Sequence, residues 1–344
     1  MRPGHLLIFG AALLTISCEP KPPVWHTTFP AFGTRVEISI AAVSESRARR
    51  AGDKIKILFE TLHRRWHPWD DGALASFNMQ LMNTGSAAAD DELVATVRQA
   101  LSYKKLSGGR FDPAVAALVR EWGFNEAKPI SAPPDRERLL ELLAAMPDQQ
   151  QIAWQGNRLV SPAGGWAIDL GGFAKGLAID RAIALLREDG IENAVINAVG
   201  DLRAIGRHND RAWRIGIRHP RRAGVIAGID ISGDESVFTS GDYERFFVHE
   251  GVRYHHILDP ETGYPVNGTM SLTVIGGNGG IADASATALF VAGPGAWPTL
   301  AEALGVELVM LVASDGHIEM TSAMANRVTL ENPDEMKVVI VDMP

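Results

Sequence analysis

Asp283 and Thr287 stand four residues apart in GGNGGIADASATALFVAG, a stretch that runs from an apolar strand into a helix. Helical spacing puts them on one face about a turn apart. A carboxylate and a hydroxyl so placed suit a hard cation such as Mg²⁺. The same residues also serve a plain helix, since Asp283 favours a helix start and Thr287 can bond back to the preceding turn. Taken singly, the pair leaves both readings open.

Two further stretches carry chemistry. WAIDLGGFAKGLAIDRAIALL leads from a strand through Gly171 and Gly172 into a helix, with Asp169 and Lys175 flanking the turn. Glycines there let a ligand approach the backbone, and free amides at the helix start can hold an anion. The competing reading makes Asp169 a helix cap and leaves Lys175 in solvent. VFTSGDYERFF followed by YHHILDPETGYPV joins a polar turn, a hairpin and a second turn. His255 and His256 point to opposite faces if they lie in a strand, so one of them can serve as an acid or base near neutral pH, unless both are surface histidines. Gly277, Gly279 and Ala282 also spell G-x-G-x-x-A, the mark of a dinucleotide-binding oxidoreductase. That motif sits too near the C-terminus for a full doubly wound sheet.

The elements that must hold these residues are legible in outline. RVEISI alternates as a strand should, with the fold beginning near Thr34, and the next stretch places Ile55, Leu58, Phe59 and Leu62 on one helical face before WHPWDDG breaks it. A second helix is predicted from Asp91 to Leu106, closed by SGG. In FDPAVAALVREW, Pro113 suits the first helical position and Asp112 the cap before it. From Gln151 onward short apolar runs alternate with glycine-rich turns. The pattern predicts an α+β fold with a mostly antiparallel sheet core and flanking helices.

The chain has 344 residues, 46% hydrophobic and 22% charged, enough for a large core. Its formal net charge of -8 argues against a polyanionic partner, so no nucleic-acid role is expected. Residues 1–18 read as a lipoprotein-type signal peptide ending on Cys18, the only cysteine, which rules out an internal disulfide. The apolar run from Leu6 to Ile16 is too short to span a bilayer. Residues 19–30, with four prolines, read as a tether, and 31–340 as the folded body. The expected location is the periplasmic face of a bacterial membrane, anchored by lipid on Cys18.

IDLGGFAKG, NAVGDLRAIG, FTSGDYER, HHILDPETGYPV and ADASATALF, in that order and preceded by SGGRFDPAV and WGF, resemble the signature blocks of the ApbE family of flavin transferases. The resemblance covers about Ala31 to Ala313. It implies a magnesium-dependent enzyme that moves FMN from FAD to a threonine or serine hydroxyl of an acceptor protein, releasing AMP. It further implies that Asp283 and Thr287 bind Mg²⁺ by side chain, with backbone carbonyls of Gly172 and Ala286 helping. Asp169 and Lys175 would contact the cofactor, Arg110, Phe111 and Asp112 would line its adenine side, and Ile257 would pack near it. His256 would assist attack by the acceptor hydroxyl, making His256 and Asp283 the catalytic pair. Acceptors of this family are typically membrane redox-pump subunits or exported flavoproteins. The sequence departs from the family pattern where MGT reads FGT, placing Phe32 for a methionine that touches FAD, and where WHPWDD replaces a Ser-Thr-Tyr pattern, leaving Trp69 for the ring-stacking position. A magnesium-dependent FAD pyrophosphatase and a non-catalytic flavin-binding lipoprotein share the same blocks.

Overall fold

The structure, a computed structural model, describes residues 23–125 and 130–343. The signal segment, Cys18 and the first part of the expected tether lie outside them. The rest of that tether is corrected: Trp25–Ala31 is a strand, paired antiparallel with Thr34–Ile40 from Trp25↔Ile40 to Ala31↔Thr34. Its alternation turns Phe29 and Ala31 into the core, and Pro30 is tolerated because this is an edge strand. The two strands meet at Phe32 and Gly33, with φ of 51° and 69°, as a tight hairpin turn with two left-handed residues requires.

That hairpin opens a nine-stranded sheet. Its next strands are Ala194–Ala198, Asp201–Gly206, Gly233–Gly241, Thr269–Gly276, Leu308–Ala313, Ile318–Thr321 and Val338–Val341, all antiparallel except the last pair. The expected α+β fold with a mostly antiparallel core is what forms. One face packs on the helices Glu45–Trp66, Ala174–Glu188 and Gly279–Ala292, through a core that includes Phe59, Phe173, Phe238 and Phe290. The other face is covered by a three-stranded sheet, Trp213–Arg218, Val225–Ile231 and Val328–Leu330, through Leu202, Ile217, Ile229 and Val237. Thr269–Gly276, buried on both sides, lies between the two layers.

The helix predicted at Asp91–Leu106 has those limits, with Asp90 accepting the Leu93 N–H as its cap. The helix expected from Pro113 starts at Ala116 instead. Pro113 and Ala114 form a turn and Val115 stays outside the helix, because the Pro113 carbonyl accepts the Asp169 N–H and Val115 bridges Ala167. Asp112 therefore caps a turn, its Oδ1 accepting the Ala114 N–H at 2.9 Å. A further helix, Ala73–Thr84, was not visible in the pattern. Its Asn78 is buried and fastens the Pro68 carbonyl and both backbone groups of Ile168, tying the WHPWDD segment to the stretch before Asp169, where the expected strand is reduced to the single Val115–Ala167 bridge.

Candidate functional site

Helices Ala174–Glu188 and Gly279–Ala292 cross with almost no separation, and glycine is the reason. A Cβ on Gly176 would sit 2.1 Å from the Gly279 carbonyl oxygen, inside any permissible contact. The contact lets the Gly176 N–H reach the Asp283 carboxylate at 3.0 Å. One turn further along, Gly172 lies against Thr287, where a Cβ would stand 2.9 Å from its hydroxyl oxygen and 3.3 Å from the Phe111 ring. Ser240 approaches the same hydroxyl from the sheet at 3.3 Å. Gly172, Asp283, Thr287 and Phe111, separated by up to 176 positions in the chain, are thus brought together.

Asp283 is 4% exposed, and burial raises its carboxyl to about 7 against the opposing pull of Lys175. Its Oδ2 takes the Gly176 N–H, while Oδ1 takes no hydrogen bond from a described residue. One carboxylate and adjacent hydroxyl and carbonyl oxygens form a donor set that fits a hard divalent cation. Among the described residues no group of three or more His, Cys, Asp or Glu side chains converges, so the donors here are a single carboxylate with hydroxyl and carbonyl oxygens. Ala286 fits less well: it is buried mid-helix, where its carbonyl already accepts the N–H one turn on.

Lys175 lies beside Asp283 and pairs with Asp201. Burial alone would lower its ammonium, but the Asp201 and Asp283 carboxylates outweigh that and hold it above its ordinary value. The pair is not the solvated lysine of the alternative reading. Asp201 also accepts the Thr239 N–H at 3.0 Å, which fixes its orientation. Asp169 accepts the Gly171 N–H at 2.6 Å and faces the guanidinium of Arg245, which in turn donates to the Phe124 carbonyl. The His256 backbone N–H donates to the Arg245 carbonyl. Burial first, then the charges of Arg245 and Lys175, push the His256 imidazole well below its usual value, so it is neutral near pH 7. Its Nδ1 is buried with no partner among the described residues. His255, by contrast, is spoken for: its Nε2 bonds the Val266 carbonyl at 2.8 Å and its Nδ1 accepts from the Ile257 N–H.

The remaining expected residues divide. Ile257 is buried in the core beside this site. Arg110 pairs with Glu261 at 3.5 Å on the rim. Asp112 is committed to structure, its second oxygen bound to buried Lys104 at 2.8 Å. Phe32 packs edge-on against His63 at 5.5 Å and beside Trp66 at 6.3 Å. Trp69 lies beneath the Arg120 guanidinium at 4.9 Å, and the indole N–H groups of Trp66 and Trp69 are both buried without partners among the described residues.

The sequence reading gave no role to Asp180, Asp201, Ser240 or Arg245. Asp180 accepts the Gly279 and Gly280 N–H groups at 2.9 and 3.0 Å, so the start of that helix is filled by the protein's own carboxylate. The G-x-G-x-x-A motif is therefore unavailable to a dinucleotide phosphate. Its position four residues after Gly176 was the available signal.

The ApbE family profile matches residues 32–310. An FAD:protein FMN transferase of Rhodobacter capsulatus is 37% identical over 99% of this chain, and the chain spans 65% of that relative's length. One from Vibrio cholerae is 31% identical over 90% of this chain and 94% of its own. Among solved structures, an ApbE protein of Thermotoga maritima superposes with a TM-score of 0.80 at 32% identity, covering 89% of this chain and 99% of its own.

Proposed function

This chain belongs to the ApbE family, and from that premise we propose that it is a flavin transferase that moves FMN from FAD to a threonine or serine hydroxyl of an acceptor protein, releasing AMP. The observation that carries the reading is the convergence of Asp283, Thr287, Gly172 and the Lys175–Asp201 pair at one helix crossing. Attack on a pyrophosphate is slow because its oxygens and its leaving group are negatively charged, so the site must supply positive charge and a place for a proton.

Lys175 supplies a fixed positive charge, held in place by Asp201. Asp283, Thr287 and the Gly172 carbonyl would hold Mg²⁺, which when bound neutralises phosphate charge. His256, neutral with a free Nδ1, is suited to take the acceptor hydroxyl's proton. The hydroxyl oxygen bonds to the FMN-side phosphorus, the bond from that phosphorus to the AMP oxygen breaks, and AMP leaves with the electron pair. Phe32 and Trp69, both half-buried, are the side chains that would stack on the flavin ring. The protein would act at the periplasmic face of a bacterial membrane, anchored by lipid on Cys18.

Incubating the chain with FAD, magnesium and a candidate acceptor, followed by denaturing gel and flavin fluorescence, tests this directly. A fluorescent acceptor band that disappears with chelator and in Asp283→Ala is the expected result. Free FMN and AMP with no labelled protein would make it a pyrophosphatase instead.

A further inference from the structure

The helix-packed face of the sheet carries the transfer site, and the opposite face, at the same sheet end, carries a cleft of about 340 Å³. One wall is Arg214, Ile215, Gly216, Ile217 and Arg218, five consecutive residues of the strand Trp213–Arg218. Side chains of a strand alternate between faces, so a cavity touching every residue in turn runs along the strand's main-chain edge. Among the described residues that strand pairs only with Val225–Ile231 and is terminal in its small sheet. Among the described residues its outer edge takes no backbone hydrogen bond.

The floor has the opposite character. Val195, Asn197 and Val199 line it from one strand and the turn that ends it, Val237 and Thr239 from another, alternate positions that present one side-chain face. A groove with an open backbone edge on one side and alternating side-chain sites below is shaped for an extended peptide, which can add as a strand. Gly200, Tyr243 and Glu244 also line the cleft, Gly200 at the end beside the hairpin turn.

That end is where the groove meets the transfer site. Thr239 lines the floor, and its N–H donates to Asp201, the partner of Lys175. Ser240, the next residue, sits on the other face against Thr287. Gly200 directly precedes Asp201 in the hairpin turn. A chain lying in the groove has only to pass over this turn to present a side chain to the site.

We propose that the cleft beside Trp213–Arg218 is the docking groove for the acceptor protein, which lies there as an extended segment and reaches its threonine or serine over the Val199–Gly200 turn. The inference rests on the flavin-transferase reading. Continuity with the transfer site selects this occupant: the reaction requires a second polypeptide at that sheet end, and main-chain pairing lets acceptors of differing sequence use one groove.

The full chain, with FAD and magnesium, is first offered a library of threonine- and serine-containing peptides, and the best acceptor becomes the probe, with its hydroxyl residue changed to valine for binding work. Hydrogen exchange on the unmodified enzyme should then show the amides of Trp213–Arg218 slowed at least about tenfold by the probe, which corresponds to a bound strand edge. Arg35→Trp and Val199→Trp, which add bulk at the groove rim and end, should raise KM for the acceptor peptide by about tenfold or more with kcat retained. Transfer to peptide with no protection at Trp213–Arg218 overturns the groove and leaves the transferase reading standing. Protection that rises with enzyme concentration alone assigns the edge to a second copy of this chain, which also overturns it. Failure of every peptide and protein acceptor, with FAD still split to FMN and AMP, removes the transferase reading and the groove with it.

Discussion

The Gly176 amide and the Asp283 carboxylate are joined by a 3.0 Å hydrogen bond across two helices whose backbones nearly touch. The bond exists because neither Gly176 nor Gly279 carries a side chain at the crossing. A methyl on Gly176 would meet a backbone carbonyl, which cannot rotate away as a side chain can. Alanine is the better helix former by up to about 1 kcal/mol, yet the clash should dominate.

Gly176→Ala is therefore expected to destabilise the protein by about 1–3 kcal/mol and to abolish flavin transfer by moving Asp283 away from Gly172. Denaturant unfolding and the flavin-fluorescence gel check the two effects separately. A variant with unchanged midpoint and full transfer would show that the crossing is not rigid.

Asp201→Asn should keep the Thr239 N–H bond but remove the charge that holds Lys175 protonated. The rate should fall by about 10²-fold, the size seen when an electrostatic stabiliser is lost, and its alkaline limb should move to lower pH. The pH profile distinguishes this from simple misfolding, which would lower the plateau without moving the limb.

His255 and His256 make stability depend on pH. Unfolded imidazoles protonate near 6.5, whereas burial holds both folded values lower. The folded state therefore resists protonation, and stability is complete above pH 6.5 and declines as pH falls from there through the lower folded values. The Asp283 carboxyl, raised to about 7, works in the opposite direction over the same range, so the histidine part is read as the difference between wild-type and variant denaturant midpoints from about pH 7.5 to about pH 5. His256→Gln should flatten its slope.

Asp112→Ala leaves the Lys104 ammonium buried with only the Pro147 carbonyl as partner. The expected cost is about 3–5 kcal/mol, the range for breaking a buried pair from one side. FAD affinity of the folded variant, measured by flavin fluorescence quenching, should change by less than the loss of a direct contact would give. A large affinity loss with little loss of stability would restore Asp112 to the cofactor.

Local pattern was enough to specify the parts. Alternating RVEISI and the glycine-separated apolar runs specified a mostly antiparallel sheet, and the periodicity around Ile55 and Leu93 specified helices, because each pattern has one way to bury its apolar side. Asp283 with Thr287, and Asp169 with Lys175, were legible as oxygen and charge donors because their partners lie a few residues away. What those donors face was set by packing. Asp112 and Asp180 read like any helix-flanking carboxylates, yet one is bound to Lys104 and the other fills the start of a second helix. Asp201 gained its role only when the sheet set it opposite Lys175, and Trp25–Ala31 became a strand only because Thr34–Ile40 offered it an edge. The physical reason is range: side-chain periodicity and capping act within a turn or two of chain, whereas burial and charge pairing depend on which distant segments the packed core brings together.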